Sequence, residues 1–269
     1  MMVPEIWGLV AVFLLGIAAA AGGLALFNGR RQWALVAVGA RAVGTASVAA
    51  ALGLAVVAQG EWSPFDSQQV VMGLVLAMLV LQMVLTWRLR SGSGGPVVDV
   101  MAVALLLTGM FLLQPDTPPL TCAQQAVVFR AQWALFLLGA GCVLAAGSSG
   151  LMLALRRGLA KQGRSFGQPT QGDLYNLLTQ GIFLALVFLG GGLALGVWWA
   201  WQTMGTLTGG DSRELWMAAI WLAAAMSQLA WQLEGQRGRW AAGLALAAAS
   251  GVVFCLVLLP QLQSLTRGF

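Results

Sequence analysis

Residues 128–157 read VFRAQWALFLLGAGCVLAAGSSGLMLALRR, with no charged side chain between Arg130 and Arg156. A helix needs about 20 apolar residues to cross a hydrocarbon core of about 30 Å, so this run is long enough to span a bilayer. The paired arginines at its end have the character of a cytoplasmic anchor.

The same pattern recurs along the chain. Apolar runs cover residues 6–27, 32–58, 68–88, 96–114, 128–155, 177–201, 215–232 and 240–261, separated by short polar segments. Of the 269 residues, 59% are hydrophobic and 9% charged. Soluble domains carry about 25% charged residues, and a water-exposed surface cannot be built from so few. The expectation is an all-α, polytopic membrane bundle of about eight transmembrane helices, forming one domain over 1–269. The first run has only Glu5 as a charge before it and is too long for a signal-peptide core, so it is expected to be a retained helix.

Charge sets the expected orientation. With the N-terminus outside, the cytoplasmic loops hold Arg30, Arg31, Arg88, Arg90, Arg156, Arg157, Lys161, Arg164, Arg237 and Arg239. The outer segments hold Arg130, Arg213 and Arg267, together with Glu5, Glu61, Asp66, Asp116, Asp211 and Glu214. Basic residues mark cytoplasmic loops, so both termini are expected outside. The net charge of +5 is spread over these loops and not along one face, which argues against nucleic acid as a partner. Trp7, Trp62, Trp133 and Trp216 are expected at outer helix ends, and Trp33, Trp87, Trp231 and Trp240 at inner ends, where indoles suit the headgroup region.

Histidine is absent from the chain, which excludes histidine-based acid–base chemistry and histidine ligation of zinc or haem by this chain alone. Cys122, Cys142 and Cys255 have no metal-ligand spacing and read as packing residues. Gly192 and Gly196 have the four-residue spacing that lets helices approach closely, and Gly39, Gly44, Gly139, Gly141, Gly190 and Gly191 extend the theme.

The most unusual segment is 196–221, GVWWAWQTMGTLTGGDSRELWMAAIW, which holds five tryptophans between two spans. It resembles the tryptophan-rich outer loop of cytochrome c assembly proteins of the CcsA/HemX type, which are polytopic and handle haem. Trp199 and Ala200 fit the family's W-A, Gly205 the glycine of its W-G, and Asp211, Glu214 and Trp216 its D, E and final W. Arg213 stands in place of the family's lysine, and Trp221 fits a tryptophan of the following helix. Downstream, GQRGRWAAGLALAAASG resembles the family's basic turn and last helix.

Departures are as informative. Met204, Thr208 and Gly210 stand where the family has tryptophans, and Ser212 replaces its proline. In that family histidines flanking the loop, and others within helices, ligate haem iron. Near the outer one this chain has Gln132 and Trp133, and near the helix-seven one Leu229. The resemblance therefore implies a retained scaffold with lost or altered haem chemistry. No cofactor is expected, and haem only with non-histidine or partner-supplied ligands.

Several residues carry two readings. Asp211 and Glu214 form a D-x-x-E pattern suited to a helix cap, or a polar rim for a partner. Trp198, Trp199 and Trp201 form an interfacial belt or a stacking platform, although three positions in four cannot all face one pocket. Arg41 lies ten residues past Arg31, about 15 Å along the helix. Asp99 is the acid within a span that best pairs with it; the alternatives are a snorkelling side chain or an anion site. Met204 and Met226 are weak haem ligands without a histidine partner. The expected role is non-enzymatic: an accessory subunit or assembly factor working with other membrane proteins and lipids, in a bacterial inner or thylakoid-type membrane. The alternative is a cytochrome c biogenesis protein whose haem ligands come from a partner chain.

Overall fold

The computed structural model describes residues 3–28, 31–60, 62–63, 66–89, 95–111, 127–160, 170–206, 212–234 and 239–259. Regular structure among them is helical throughout. The helices are α1 (Val3–Asn28), α2 (Arg31–Gln59), α3 (Ser67–Leu89), α4 (Gly95–Phe111), α5 (Val127–Ala160), α6 (Gln171–Met204), α7 (Ser212–Glu234) and α8 (Arg239–Val253), which continues into a π-helical turn at Phe254–Leu258. Each apolar run of the sequence has become one helix.

Six helices are long and apolar enough to cross a membrane: α1, α2, α3, α5, α6, and α8 with its π turn. The remaining two depart from the expectation of eight full-length apolar runs. The described part of α4 has 17 residues, about 25 Å of helix. Helix α7 has 23 residues but is less apolar, because Ser227, Gln228 and Gln232 occupy its second half.

Packing follows chain order. Helix α1 lies against α2 and α4, and α3 against α2 and α4, so the first four helices close a ring. Helices α5 to α8 close a second ring in the same order. The rings join mainly where α3 lies along α5. An apolar core runs through both, from Ala11 and Leu15 of α1 to Val252 of α8, and a second cluster lies within the second ring.

Small residues explain why α5 sits at the junction. Gly139, Ala140, Gly141, Ala145, Ala146, Gly147, Ser148, Ser149 and Gly150 leave little side chain on any face, which lets several helices approach at once. Leu189 of α6 packs on Gly139, Ala77 of α3 on Gly141, and Ala249 of α8 on Gly147. As a result 83% of the α5 apolar span is buried, against 28% for α1 and for α2 at the periphery.

These contacts also give directions. Helices α1 and α4 are antiparallel, with Gly8 beside Met110 and Gly22 beside Pro96. Helices α3 and α5 are parallel, with Gly73 beside Leu137 and Gly141 beside Ala77. The start of α2, the last turns of α3 and α5 with Arg88 and Arg157, and the start of α8 at Arg239 therefore share one end of the body. Glu5, Arg213 and Glu214 belong to helix starts at the other end. Arg30, Arg90, Lys161, Arg164, Arg237, Glu61, Asp116, Asp211, Arg267 and Cys122 lie outside the described residues.

Helix α6 begins six residues before the apolar run at 177. Thr170 caps it: its hydroxyl accepts from the Asp173 N–H at 3.2 Å, and the Asp173 carboxylate accepts from the Thr170 N–H at 3.1 Å. This reciprocal pair satisfies two otherwise orphaned donors and carries the helix into polar sequence.

Candidate functional site

A polar contact crosses each ring. In the first, Arg41 on α2 meets Asp99 on α4, helices that face each other across the ring. Arg41 Nε donates to Asp99 Oδ1 and Nη2 to Oδ2, both at 2.7 Å. The guanidinium fork thus matches the carboxylate with two parallel bonds, the strongest geometry available to this pair. Asp99 is completely buried and the Arg41 side chain is 10% exposed. Gly95 makes room, because any side chain there would run into the guanidinium. Thr45, one turn along α2, donates to the Arg41 carbonyl at 2.8 Å and approaches Met83 Sδ on α3 at 3.8 Å.

In the second ring, Gln132 on α5 reaches Glu214 on α7, again across the ring. Gln132 Nε2 donates to Glu214 Oε1 at 3.0 Å. Gln132 is buried, and Gly196 of α6 leaves the space that its amide fills. Gly192, one turn earlier, packs against Phe136, where an added Cβ would lie 2.6 Å from the ring. The four-residue glycine spacing read from the sequence therefore serves the α5–α6 approach.

Around Gln132 lies an aromatic cluster. Phe129 is 5.5 Å from Trp199 and 6.3 Å from Trp133, and Trp133 meets Phe136 edge-on at 5.8 Å, all between ring centroids. The Arg213 guanidinium stands 5.8 Å over Trp133, within cation–π range. Trp216 packs edge-on against Phe254 at 5.0 Å, where α8 enters its π turn. Turns of this kind are frequent at functional sites, and Cys255 within it places Sγ 4.0 Å from the Arg213 carbonyl.

The three tryptophans of α6 separate as helical geometry requires. Trp199 is buried in the aromatic cluster, whereas Trp198 and Trp201 are 49% and 61% exposed. Trp216 is also exposed. Gly205 closes α6 in a left-handed conformation, φ 67°, donating to the Trp201 carbonyl. Asp211 lies outside the described residues, so the cap proposed for it with Glu214 is not on view; the bond seen for Glu214 runs to Gln132. Trp133 corrects an expectation: it is buried between helices and is not an interfacial indole. Trp33, Trp87 and Trp240 are exposed at the basic end, and Trp231 stacks on Tyr175 at 5.0 Å.

The donor set does not fit haem. Gln132 stands near the position where the resemblance implies an iron-ligating histidine, and its amide nitrogen is already bonded to Glu214. The surrounding rings pack on one another edge-on and tilted. Met204 and Met226 are exposed on the outside of the body, Cys142 is buried in the core, and no cluster of three metal-ligating side chains occurs among the described residues. Compared with protein families, curated proteins and solved structures, the chain matches none.

Two polar features were not anticipated from the sequence. Asp66 caps α3 through Oδ1, which accepts from the Gln68 and Gln69 N–H groups at 2.9 and 3.2 Å, and its Oδ2 accepts from Gln59 Nε2 at 2.8 Å. Gln69 also bonds Gln59 and accepts from the Ser63 N–H, tying α2 to α3. At the basic end, Arg157 donates to the Tyr175 hydroxyl. The D-x-x-Q spacing of Asp66 and Gln69 was the available signal for the first; the second pairs residues of different helices and had none.

Proposed function

We propose that this protein is a non-catalytic membrane subunit or assembly factor that acts by contact with other membrane proteins. The observation that carries the reading is the division of tryptophans at the end of the second ring that holds Gln132 and Glu214. Trp199 and Trp133 are consumed in the core, while Trp198, Trp201 and Trp216 face outward beside it. Exposed tryptophans are frequent energetic anchors of protein interfaces. Beneath them Gln132 donates to Glu214, which ties α5 to α7 under this surface. The resemblance to CcsA/HemX-type proteins supports a membrane-assembly role on a scaffold that has given up haem ligation.

The proposed topology is eight crossings with both termini outside, in a bacterial inner or thylakoid-type membrane. Its support is the gathering of Arg31, Arg88, Arg156, Arg157 and Arg239 at one end. Helices α4 and α7 cross in this reading because each completes a ring of otherwise apolar helices. A reporter fused after Phe269 should behave as extracytoplasmic; a cytoplasmic signal overturns the topology.

Native electrophoresis after mild detergent extraction tests the function. The chain should migrate within a larger assembly, and Trp198→Ala with Trp201→Ala should release it with helical content unchanged. Migration alone in several mild detergents defeats the subunit reading. A pyridine haemochrome assay finding about one haem per purified chain would instead support haem handling with unusual ligands.

A further inference from the structure

Tyr175 of α6 is the one tyrosine of the chain. Arg157 of α5 donates through Nη2 to its hydroxyl oxygen, so the hydroxyl serves there as an acceptor. Its own proton remains to be donated, and nothing among the described residues accepts it. Tyr175 is 4% exposed. A buried donor left without an acceptor is costly, and natural structures supply one.

Packing fixes where this proton is offered. The tyrosine ring lies on Trp231 of α7, 5.0 Å between centroids. It belongs to an apolar cluster with Met152, Leu153, Leu174, Leu178 and Ala242. Arg157 lies two turns past Gly150 on the same face of α5. Gly150 packs against Leu178 of α6 and the Ala242 carbonyl of α8. Arg157 therefore rises where α5 meets its neighbours, at the basic end, and it is partly exposed there.

Both groups present donors. A guanidinium has five N–H donors and no acceptor, and Tyr175 adds its O–H. The surrounding charge has one sign. Arg156 precedes Arg157, Arg239 begins α8 beside α5, and Arg88 closes α3 at the same end. Asp173 is two residues from Tyr175, a spacing that does not share a helix face. Its Oδ2 accepts from the Thr170 N–H and hydroxyl at the start of α6. A water molecule would take the tyrosine proton but leave the positive charge unanswered. An anion answers both.

We propose that this end of the second ring binds one anionic phospholipid, whose phosphate accepts from the Arg157 guanidinium and the Tyr175 hydroxyl. Leu155 and Leu233, each two residues from Arg157 or Trp231, are exposed, as is Trp240 beside Arg239. In a membrane-spanning chain such side chains meet acyl chains and headgroups, which favours a lipid over a free phosphate. Basic pockets between spanning helices are suited to anionic headgroups. The site is separate from the tryptophan surface at the opposite end and does not depend on it.

Native mass spectrometry of the purified protein with added phosphatidylglycerol, phosphatidylcholine or inorganic phosphate tests this, with thermal unfolding in detergent as a second reading. The wild type should retain phosphatidylglycerol in preference to phosphatidylcholine. Phosphatidylglycerol should raise its unfolding midpoint, and the other two should not. Tyr175→Phe removes only the hydroxyl and keeps the ring on Trp231. It should bind phosphatidylglycerol roughly tenfold more weakly, as loss of one hydrogen bond to a charged group implies. Arg157→Gln should abolish the preference between the two lipids. A diffuse positive surface predicts instead that Tyr175→Phe binds as the wild type does, and that result overturns the site. Equal retention of the two lipids by the wild type overturns it even if the variants do not fold. An equal rise in midpoint with inorganic phosphate overturns the assignment to a lipid.

Discussion

Arg41 and Asp99 join opposite helices of the first ring through two hydrogen bonds of 2.7 Å. Neither residue is tolerable alone in the bilayer, since an isolated Arg or Asp costs roughly 2.5–3.5 kcal/mol at a helix centre on insertion scales. Together they form a neutral, directional link between helices that do not otherwise pack side by side. Lipid offers no hydrophobic drive for helix association, so such a link helps to select which helices meet.

Breaking it on one side should therefore cost more than removing it altogether. Arg41→Ala and Asp99→Asn should each destabilise the protein by roughly 3–5 kcal/mol, the loss typical of a buried pair deprived of one partner. The double variant should lose clearly less than the sum of the two. Thermal unfolding in detergent, together with accumulation in the membrane, measures all three. Additive losses would show that the two side chains act independently.

Gly95 gives a second access to the same link. Its missing side chain is what admits the Arg41 guanidinium to Asp99. Gly95→Val should reproduce most of the Arg41→Ala loss, although neither charge is touched. Gly53→Val is the control, because nothing lies within 4 Å of a Cβ at that exposed position. Equal stability of the two valine variants would remove Gly95 from the account.

The α5–α6 contact rests on glycine in the same way. A methyl group at Gly192 would overlap Phe136, and one at Gly196 would overlap the Gln132 amide. Gly192→Ala should cost about 1–3 kcal/mol, as overpacking does in closely packed cores. Phe136→Leu, placed in the same background, should recover part of that loss by giving the methyl room. Unfolding midpoints of the two variants decide the matter, and an unchanged midpoint for Gly192→Ala would mean that the helices separate freely there.

How far these features were legible varies with what carries them. Apolar runs and breaks are local, so helices α1 to α8 could be read from length and composition. Arg41 and Asp99 were readable as a pair because charges within spans are few and each needs a partner. Trp133 was misassigned because an indole near a helix end is interfacial only if that face meets lipid, and facing depends on neighbouring helices. The Gln132–Glu214 bond joins residues far apart in sequence, and the D-x-x-E pattern, which concerns only the start of α7, carried no signal of it.

That bond provides the most graded test of the second ring. Gln132 is buried, donates to Glu214, and fills the space beside Gly196. Glu214→Gln keeps an acceptor oxygen in place and gives up only charge assistance, so it should cost the least. Gln132→Ala removes the donor and opens a cavity beneath the aromatic cluster, with a loss of roughly 1–3 kcal/mol. Gln132→Glu puts a second carboxylate within hydrogen-bonding distance of the first in a buried position, and like charges so placed oppose each other strongly. It should be the least stable of the three despite its nearly identical shape. Unfolding midpoints at neutral pH should therefore fall in the order wild type, Glu214→Gln, Gln132→Ala, Gln132→Glu. The ranking separates electrostatics from packing: if Gln132→Glu unfolds no earlier than Gln132→Ala, the site is filled by volume alone and the bond across the ring contributes nothing to holding α7 against α5.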